Sequence, residues 1–215
     1  MAKFNNIHLL RGKVGDKVYC RRRDFGSYVR ALGTYKDEPS NAQLACRVKL
    51  KMAVEFLNPL RRLLDECWMD SSVRKRGFNG ASGYFIKNTF TGEYPELQVK
   101  YEEVCFSNGR LAVPDEAEMI IDTNSVFVSW KNLQRFQAGP DDEAIIILYN
   151  EDYKALCLFR NSAIRQQEHA ILKVTEEFIR GTLHGYLFFI SYTGKQVSQT
   201  VYLGCLRIEG TNGSV

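Results

Sequence analysis

The sequence has no apolar run approaching the roughly 20 residues that a bilayer-spanning helix needs, so no membrane segment is expected. No long apolar stretch follows the start, Met1-Ala2-Lys3-Phe4-Asn5-Asn6, and a secretory signal is not expected either. Proline is scarce, 5 in 215 residues, while apolar residues make up 45% and charged residues 25%. Those ordinary values exclude disordered, collagenous and low-complexity readings. The three histidines, His8, His169 and His184, lie far apart. None of the cysteines (20, 46, 67, 105, 157, 205) forms a Cys-x-x-Cys pair or has a histidine at zinc-ligand spacing. There is no Gly-x-Ser-x-Gly elbow and no His-Glu-x-x-His. Gly12-Lys13-Val14-Gly15-Asp16 lacks both the spacing and the following helix of a phosphate loop, and its glycines read as turn residues. These absences leave no catalytic, metal or cofactor residues to name, and no enzyme is expected.

What is present is a chain of 24.7 kDa, enough for one large domain or two small ones. Its net charge of +4 is unevenly placed: residues 1–100 hold 19 Lys/Arg against 10 Asp/Glu, and residues 101–215 hold 10 against 15. A basic half of +9 and an acidic half of −5 suit two regions with different contacts. The basic half can grip phosphate backbones. It can equally meet the acidic half of a neighbouring copy, and head-to-tail contacts of that kind build rings or filaments. It can also simply be solvated. Without a secretory signal the cysteines are expected to be reduced, buried, structural thiols, and the Asn212-Gly213-Ser214 sequon idle.

Periodicity supplies the elements. Residues 7–34 read as a β-hairpin, with Val14, Val18 and Cys20 on one strand, Tyr28 to Leu32 on the other, and a turn near Asp24-Phe25-Gly26. Leu44, Val48, Met52, Phe56, Leu60, Leu64 and Trp68 recur every fourth residue, and Leu57, Leu63 and Cys67 widen the stripe, so 40–68 is helical. Ser40 serves as an N-cap. Pro59 interrupts this helix and predicts a break at Leu57-Asn58, with a second helix from Pro59 to Met69. Gly77 and Gly80 mark a loop, and 81–90 reads as a short helix. Strands are expected at 97–106, 117–121, 125–131, 143–150, 154–160, 170–174, 183–191 and 200–208. Short strands separated by turns, such as Asn108-Gly109 and Thr193-Gly194, fit an antiparallel β-sandwich. Trp130, Tyr186 and Phe188 are candidate core residues. The carboxylate runs Glu102-Glu103, Asp115-Glu116, Asp141-Asp142-Glu143 and Glu176-Glu177 are read as solvated turns and edges.

Two stretches go beyond pattern. The first is Asn5-Asn6, Gly12 to Val18 and Tyr28-Val29-Arg30, followed by the helix with Gln43 and Arg47. The second is Ser125 to Trp130, Asp141-Asp142, Ile147 to Asn150, Arg160, Tyr186 and Val197 to Gly204. In this order they resemble a family of uncharacterised proteins of about this length from Bacteroidota, across nearly the whole chain. The chain departs from it at Arg22-Arg23-Asp24-Phe25-Gly26, where the family often has Trp-Lys-Gly. The resemblance carries no active-site residues. The second half also looks like a fibronectin type III or immunoglobulin-like module, which implies binding rather than catalysis.

Two basic clusters are the candidate contact residues: Arg21-Arg22-Arg23 beside the turn, and Arg74-Lys75-Arg76 in a loop near Phe78 and Tyr84, two rings that can stack on bases. The sequence therefore predicts an α+β protein of three parts. These are a basic hairpin-and-helix region over 1–96, an immunoglobulin/fibronectin-like β-sandwich over 97–210, and a tail at 211–215. The function expected is that of a non-enzymatic structural or interaction protein. It would be cytoplasmic or built into a virion-like particle, assembling with copies of itself or within a phage-like particle, with no cofactor and no membrane partner. The alternative is a nucleic-acid-binding protein that uses the two basic clusters.

Overall fold

The computed structural model describes residues 11–22, 26–33, 38–69, 76–122, 125–132 and 138–208. Helices and antiparallel sheets are mixed, and the C-terminal half is rich in strands. The chain divides into two compact units, Met1–Ser40 and Asn41–Val215. The change of periodicity at 96/97 lies within the second unit, whose helices share a core with the later strands.

In the first unit, β1 (Gly12–Val14), β2 (Lys17–Arg22) and β3 (Gly26–Ala31) form an antiparallel sheet in that order. The expected hairpin is thus two hairpins. The first turns at Gly15-Asp16, where Gly15 takes φ +59°, a conformation that suits glycine. Leu32 N–H donates to the Asp16 carbonyl at 2.7 Å. The expected turn residues Asp24 and Phe25 lie outside the described residues, and Gly26 opens β3 at φ +72°.

In the second unit, α1 (Asn41–Leu57) ends where Pro59 removes a backbone donor. A 3-10 turn over Asn58–Leu60 leads into α2 (Arg61–Cys67). The expected break at Leu57-Asn58 is therefore present. The stripe is buried from Leu57 onward, whereas Leu44, Val48, Met52 and Phe56 are only half-buried. The helix expected at 81–90 is α3 (Gly77–Asn88), and it takes in both glycines that were read as loop. The Asp65 carboxylate, which accepts from Phe78 N–H at 2.9 Å, draws the chain into the helix early. A Cβ on Gly77 would strike that carboxylate, so only glycine lets α2 and α3 come this close.

A two-strand ladder, β4 (Phe90–Thr91) with β5 (Gln98–Val99), follows. It is all that remains of the strand expected at 97–106, because Tyr101–Glu103 wind into a 3-10 turn. The remaining strands are β6 (Asp115–Asp122), β7 (Ser125–Lys131), β8 (Glu143–Asn150), β9 (Ala155–Phe159), β10 (His169–Lys173), β11 (Gly181–Ile190) and β12 (Val201–Ile208). A four-residue helix, α4 (Glu176–Ile179), precedes β11. One sheet runs β10-β7-β6 and the other β12-β11-β8-β9.

Strand β8 explains the layering. Ala144, Ile146 and Leu148 enter one buried cluster with Val126, Val128 and Leu172 of the first sheet. Ile145, Ile147 and Tyr149, on the opposite face by the two-residue period, enter a second cluster with Leu57, Leu64 and Phe85 of the helices. The sheet that contains β8 is thus covered by α1–α3 on one side and by the β10-β7-β6 sheet on the other. Burial on both faces is why β8 reads as an unbroken apolar run.

One carboxylate read as solvated lies in this interior. Asp142 and Arg165 are both nearly fully buried, and Arg165 Nε donates to Asp142 Oδ2 at 3.0 Å. The guanidinium also donates to the Ala112 carbonyl at 2.7 Å and lies 3.8 Å from the Phe189 ring centre. Trp130 packs edge-on against Phe189 and donates its indole N–H to the Arg165 carbonyl at 3.0 Å. Asp141 and Glu143 stay nearer the surface, and Glu143 meets Arg160, which also pairs with Glu66 of α2. The expected solvated reading therefore fails for Asp142, because the Gly139–Asp142 turn folds the carboxylate inward to accept from Gly139 N–H at 2.9 Å.

Candidate functional site

The first surface is the N-terminal sheet. Among its described residues none is buried. Pairing fixes its faces, because directly opposed residues in an antiparallel ladder share one. Cys20 opposes Tyr28, and Val18 opposes both Arg30 and Lys13, which makes one face. Tyr19 opposes Val29, Lys17 opposes Ala31 and Val14, and Arg21 opposes Ser27, which makes the other. Both faces are apolar at the centre and cationic at the flanks, and no strand residue is acidic. Arg21 is exposed on the second face and Arg22 closes β2, while Arg23 lies outside the described residues.

The second surface is a groove of about 450 Å³ in the second unit, lined by Arg76, Arg110 and Lys195 with Met69, Asn108 and Gln196. Arg76 is the residue before α3; Arg74 and Lys75 lie outside the described residues. The floor is backbone. Met69 N–H donates to the Asn108 carbonyl at 2.9 Å, Asn108 N–H to the Cys67 carbonyl at 3.1 Å, and Leu111 N–H to the Val197 carbonyl at 3.0 Å. Segment 108–111 is therefore clamped on both sides, and Arg110 projects from its middle. Gly109 fits because it has no side chain: a Cβ there would overlap the Val197 carbonyl oxygen. Gly109→Ala is expected to cost about 1–3 kcal/mol, the range for overpacking, read as a lower urea midpoint at unchanged slope. An unchanged midpoint would show that the clamp yields.

Of the two rings expected beside the second cluster, Phe78 is not a stacking platform. Phe78 is buried at the start of α3 with the Arg61 guanidinium 3.9 Å from its ring centre, and Tyr84 packs on Trp68. Phe78 faces inward, because the helix starts at Gly77 and turns it onto α2, whereas Tyr84 is only half-buried.

Sequence reasoning gave His184 no role, and it sits in a polar cluster. Its Nδ1 lies 2.8 Å from the Tyr202 hydroxyl and its Nε2 3.4 Å from Glu151 Oε2. The ring lies against Tyr101 at 4.3 Å between centres. Burial lowers the His184 pKa below its ordinary 6.5, and the pull of the half-exposed Glu151 does not restore it. Burial likewise pushes the Tyr202 phenol up to about 12. A neutral imidazole beside a phenol that keeps its proton is a core hydrogen bond, with no activated nucleophile. Cys67 is similar, its thiol pushed up to about 12 by burial. All six cysteines are free, but Cys46 and Cys205 are exposed, because α1 and β12 turn them away from the core.

A pH effect follows from His184, with Glu151, Glu102, Tyr101 and Tyr202 around it. A lowered folded pKa means that the unfolded chain takes up the proton first. The stabilisation is present above pH 6.5 and is lost as pH falls from there toward the folded value. The urea midpoint is expected to drop between about pH 7.5 and 5.5, and His184→Gln is expected to flatten that drop. An equal drop in the variant would assign the effect to other groups.

Among the described residues no group of three or more His, Cys, Asp or Glu side chains is placed to hold a metal ion, and no helix is long and apolar enough to cross a membrane. Residues 9–204 match the model of a family described as Family of unknown function (DUF6266). No curated protein matches the sequence.

Proposed function

The chain belongs to this family of unknown function, DUF6266, and we propose that the protein is a non-enzymatic assembly component whose N-terminal sheet docks on a second copy of the chain. The single observation that carries this reading is the sheet β1-β2-β3, which has no buried residue among those described. Three short strands need a hydrophobic face packed on something to be stable in water. Here Val14, Tyr28, Val29 and Leu32 are exposed. The occupant is argued from charge. Residues 1–40 hold nine Lys/Arg against four Asp/Glu, and residues 101–215 carry −5, so a neighbouring copy offers the complementary sign. A contact of this heterologous kind propagates into a ring or filament. A cytoplasmic particle, phage-like in its build and of Bacteroidota origin, fits that architecture.

The strand pairing supports a binding-type scaffold. Taken in order as A, B, C, C′, E, F and G, β6–β12 pair as E-B-A and G-F-C-C′. That order supports the reading of the second half as a fibronectin type III-like module. Deleting residues 1–40 leaves the Asn41–Val215 unit with its own core, and the deletion is expected to reduce the particle to single chains. A truncated protein that still assembles would remove the sheet from the account.

A second reading, nucleic-acid binding by way of Arg21, Arg22, Arg23, Arg74, Lys75 and Arg76, is favoured by one observation. Arg76 lines the same groove as two further cations.

A further inference from the structure

We propose that the outer face of the β10-β7-β6 sheet is the surface on which the N-terminal sheet of a second copy docks. The proposal rests on the reading that the N-terminal sheet docks on a neighbouring chain, and it names the receiving surface.

The strand register fixes that face. Ile120 opposes Phe127, and Phe127 opposes Ile171 on its other side, so the three side chains make one row across β6, β7 and β10. Met119, Val128 and Leu172 alternate with them and enter the buried cluster between the two sheets. Ile120 is 57% exposed, Ile171 is 62% exposed, and Phe127 between them is half-buried. The solvent face of an antiparallel sheet is ordinarily polar. Here an apolar row crosses it, with Glu118, Ser129 and His169 above and Asp122, Ser125 and Lys173 below. An apolar centre inside a polar rim is the anatomy of a protein contact.

The occupant is argued from charge and shape. Strands β1–β3 carry five cations, Lys13, Lys17, Arg21, Arg22 and Arg30, and no carboxylate. Strand β6 carries four carboxylates, Asp115, Glu116, Glu118 and Asp122, and no cation. Lys131 of β7 and Lys173 of β10 leave the receiving sheet acidic on balance. Leu50 and Val54, one helical turn apart on α1, are exposed apolar side chains too. Their helix, however, holds Arg47, Lys49 and Lys51 against Glu55, the same sign as the N-terminal sheet. Shape agrees with charge. Two three-stranded sheets with uncovered apolar side chains can stack face to face, about 10 Å apart, as the layers of a sandwich do. That contact would give β1-β2-β3 the packed face that so small a sheet needs.

The two surfaces differ, so the contact is heterologous, and a chain can lose one surface and keep the other. Two full-length variants use this. Ile120→Thr/Ile171→Thr removes the apolar row but keeps branched side chains suited to a strand, and its unfolding midpoint is expected to match the parent. Each isoleucine contributes about tenfold, so association is expected to weaken by roughly a hundredfold. Tyr28→Glu/Val29→Glu spoils both faces of the N-terminal sheet and leaves the receiving face intact. Light scattering is recorded at a concentration where the parent assembles. Each variant alone is expected at the mass of one chain, and their equimolar mixture at the mass of two, because one supplies the sheet and the other the face. A threonine variant that assembles like the parent would overturn the receiving face and leave the docking role of the N-terminal sheet standing. A mixture that stays at the mass of one chain would overturn the pairing of these two surfaces. A parent at the mass of one chain at every concentration would overturn both this face and the reading it rests on, and would leave the row to a foreign partner.

Discussion

Asp142→Ala is expected to lower the unfolding free energy by about 3–5 kcal/mol, the range for breaking one partner out of a buried ion pair. The cost comes from what is left behind. Arg165 is 2% exposed, and its charge would remain in the interior with the Ala112 carbonyl and the Phe189 ring as its remaining neighbours. The Gly139 N–H would lose its acceptor as well. Because Trp130 donates to the Arg165 carbonyl, the disturbance reaches the packing between the sheets. Urea unfolding followed by tryptophan fluorescence reads the effect directly. Replacing both partners by apolar residues, Asp142→Leu with Arg165→Met, is expected to recover much of the loss, since no charge then stays buried. A single variant with an unchanged midpoint would show that the pair is solvated in solution.

Val29→Glu is expected to weaken self-association by about tenfold to a hundredfold. Val29 is 52% exposed at the centre of one face of the N-terminal sheet, beside Tyr19. Burying a valine contributes about 1.5 kcal/mol, roughly tenfold, and a carboxylate set against an acidic partner adds repulsion. Tyr28→Glu attacks the opposite face, so comparing the two variants tells which face is covered. Tyr192→Ser removes an exposed ring from the second unit and is expected to leave the mass unchanged. Sedimentation across a concentration series reads all three. Equal behaviour of parent and Val29→Glu would place the contact elsewhere.

The elements that the sequence made legible are those that one strong local signal dictates. Pro59 breaks the helical stripe where it must, and β7 and β8 run from Ser125 and Glu143 to Lys131 and Asn150 as their apolar spacing requires. What stayed hidden depends on contacts between distant residues. Nothing local tells Gly77 that the Asp65 carboxylate lies beside it, so the sequence predicts a loop where a helix begins. Asp142 sits in an acidic run that looks solvated, and its partner Arg165 lies far along the chain. The groove shows the same limit: Arg76 belongs to a visible basic run, but Arg110 and Lys195 are single cations that only the fold brings beside it. Phe78 is the reverse case, a ring beside a basic run that the helix turns into the core.

The central claim is that this chain assembles with itself. The most direct test is the solution mass of the purified full-length protein by light scattering on a sizing column, with the absorbance ratio at 260 and 280 nm recorded across the peak. The account predicts a protein species well above the 24.7 kDa of one chain, lost when residues 1–40 are removed. A single-chain mass at every concentration tested would contradict it.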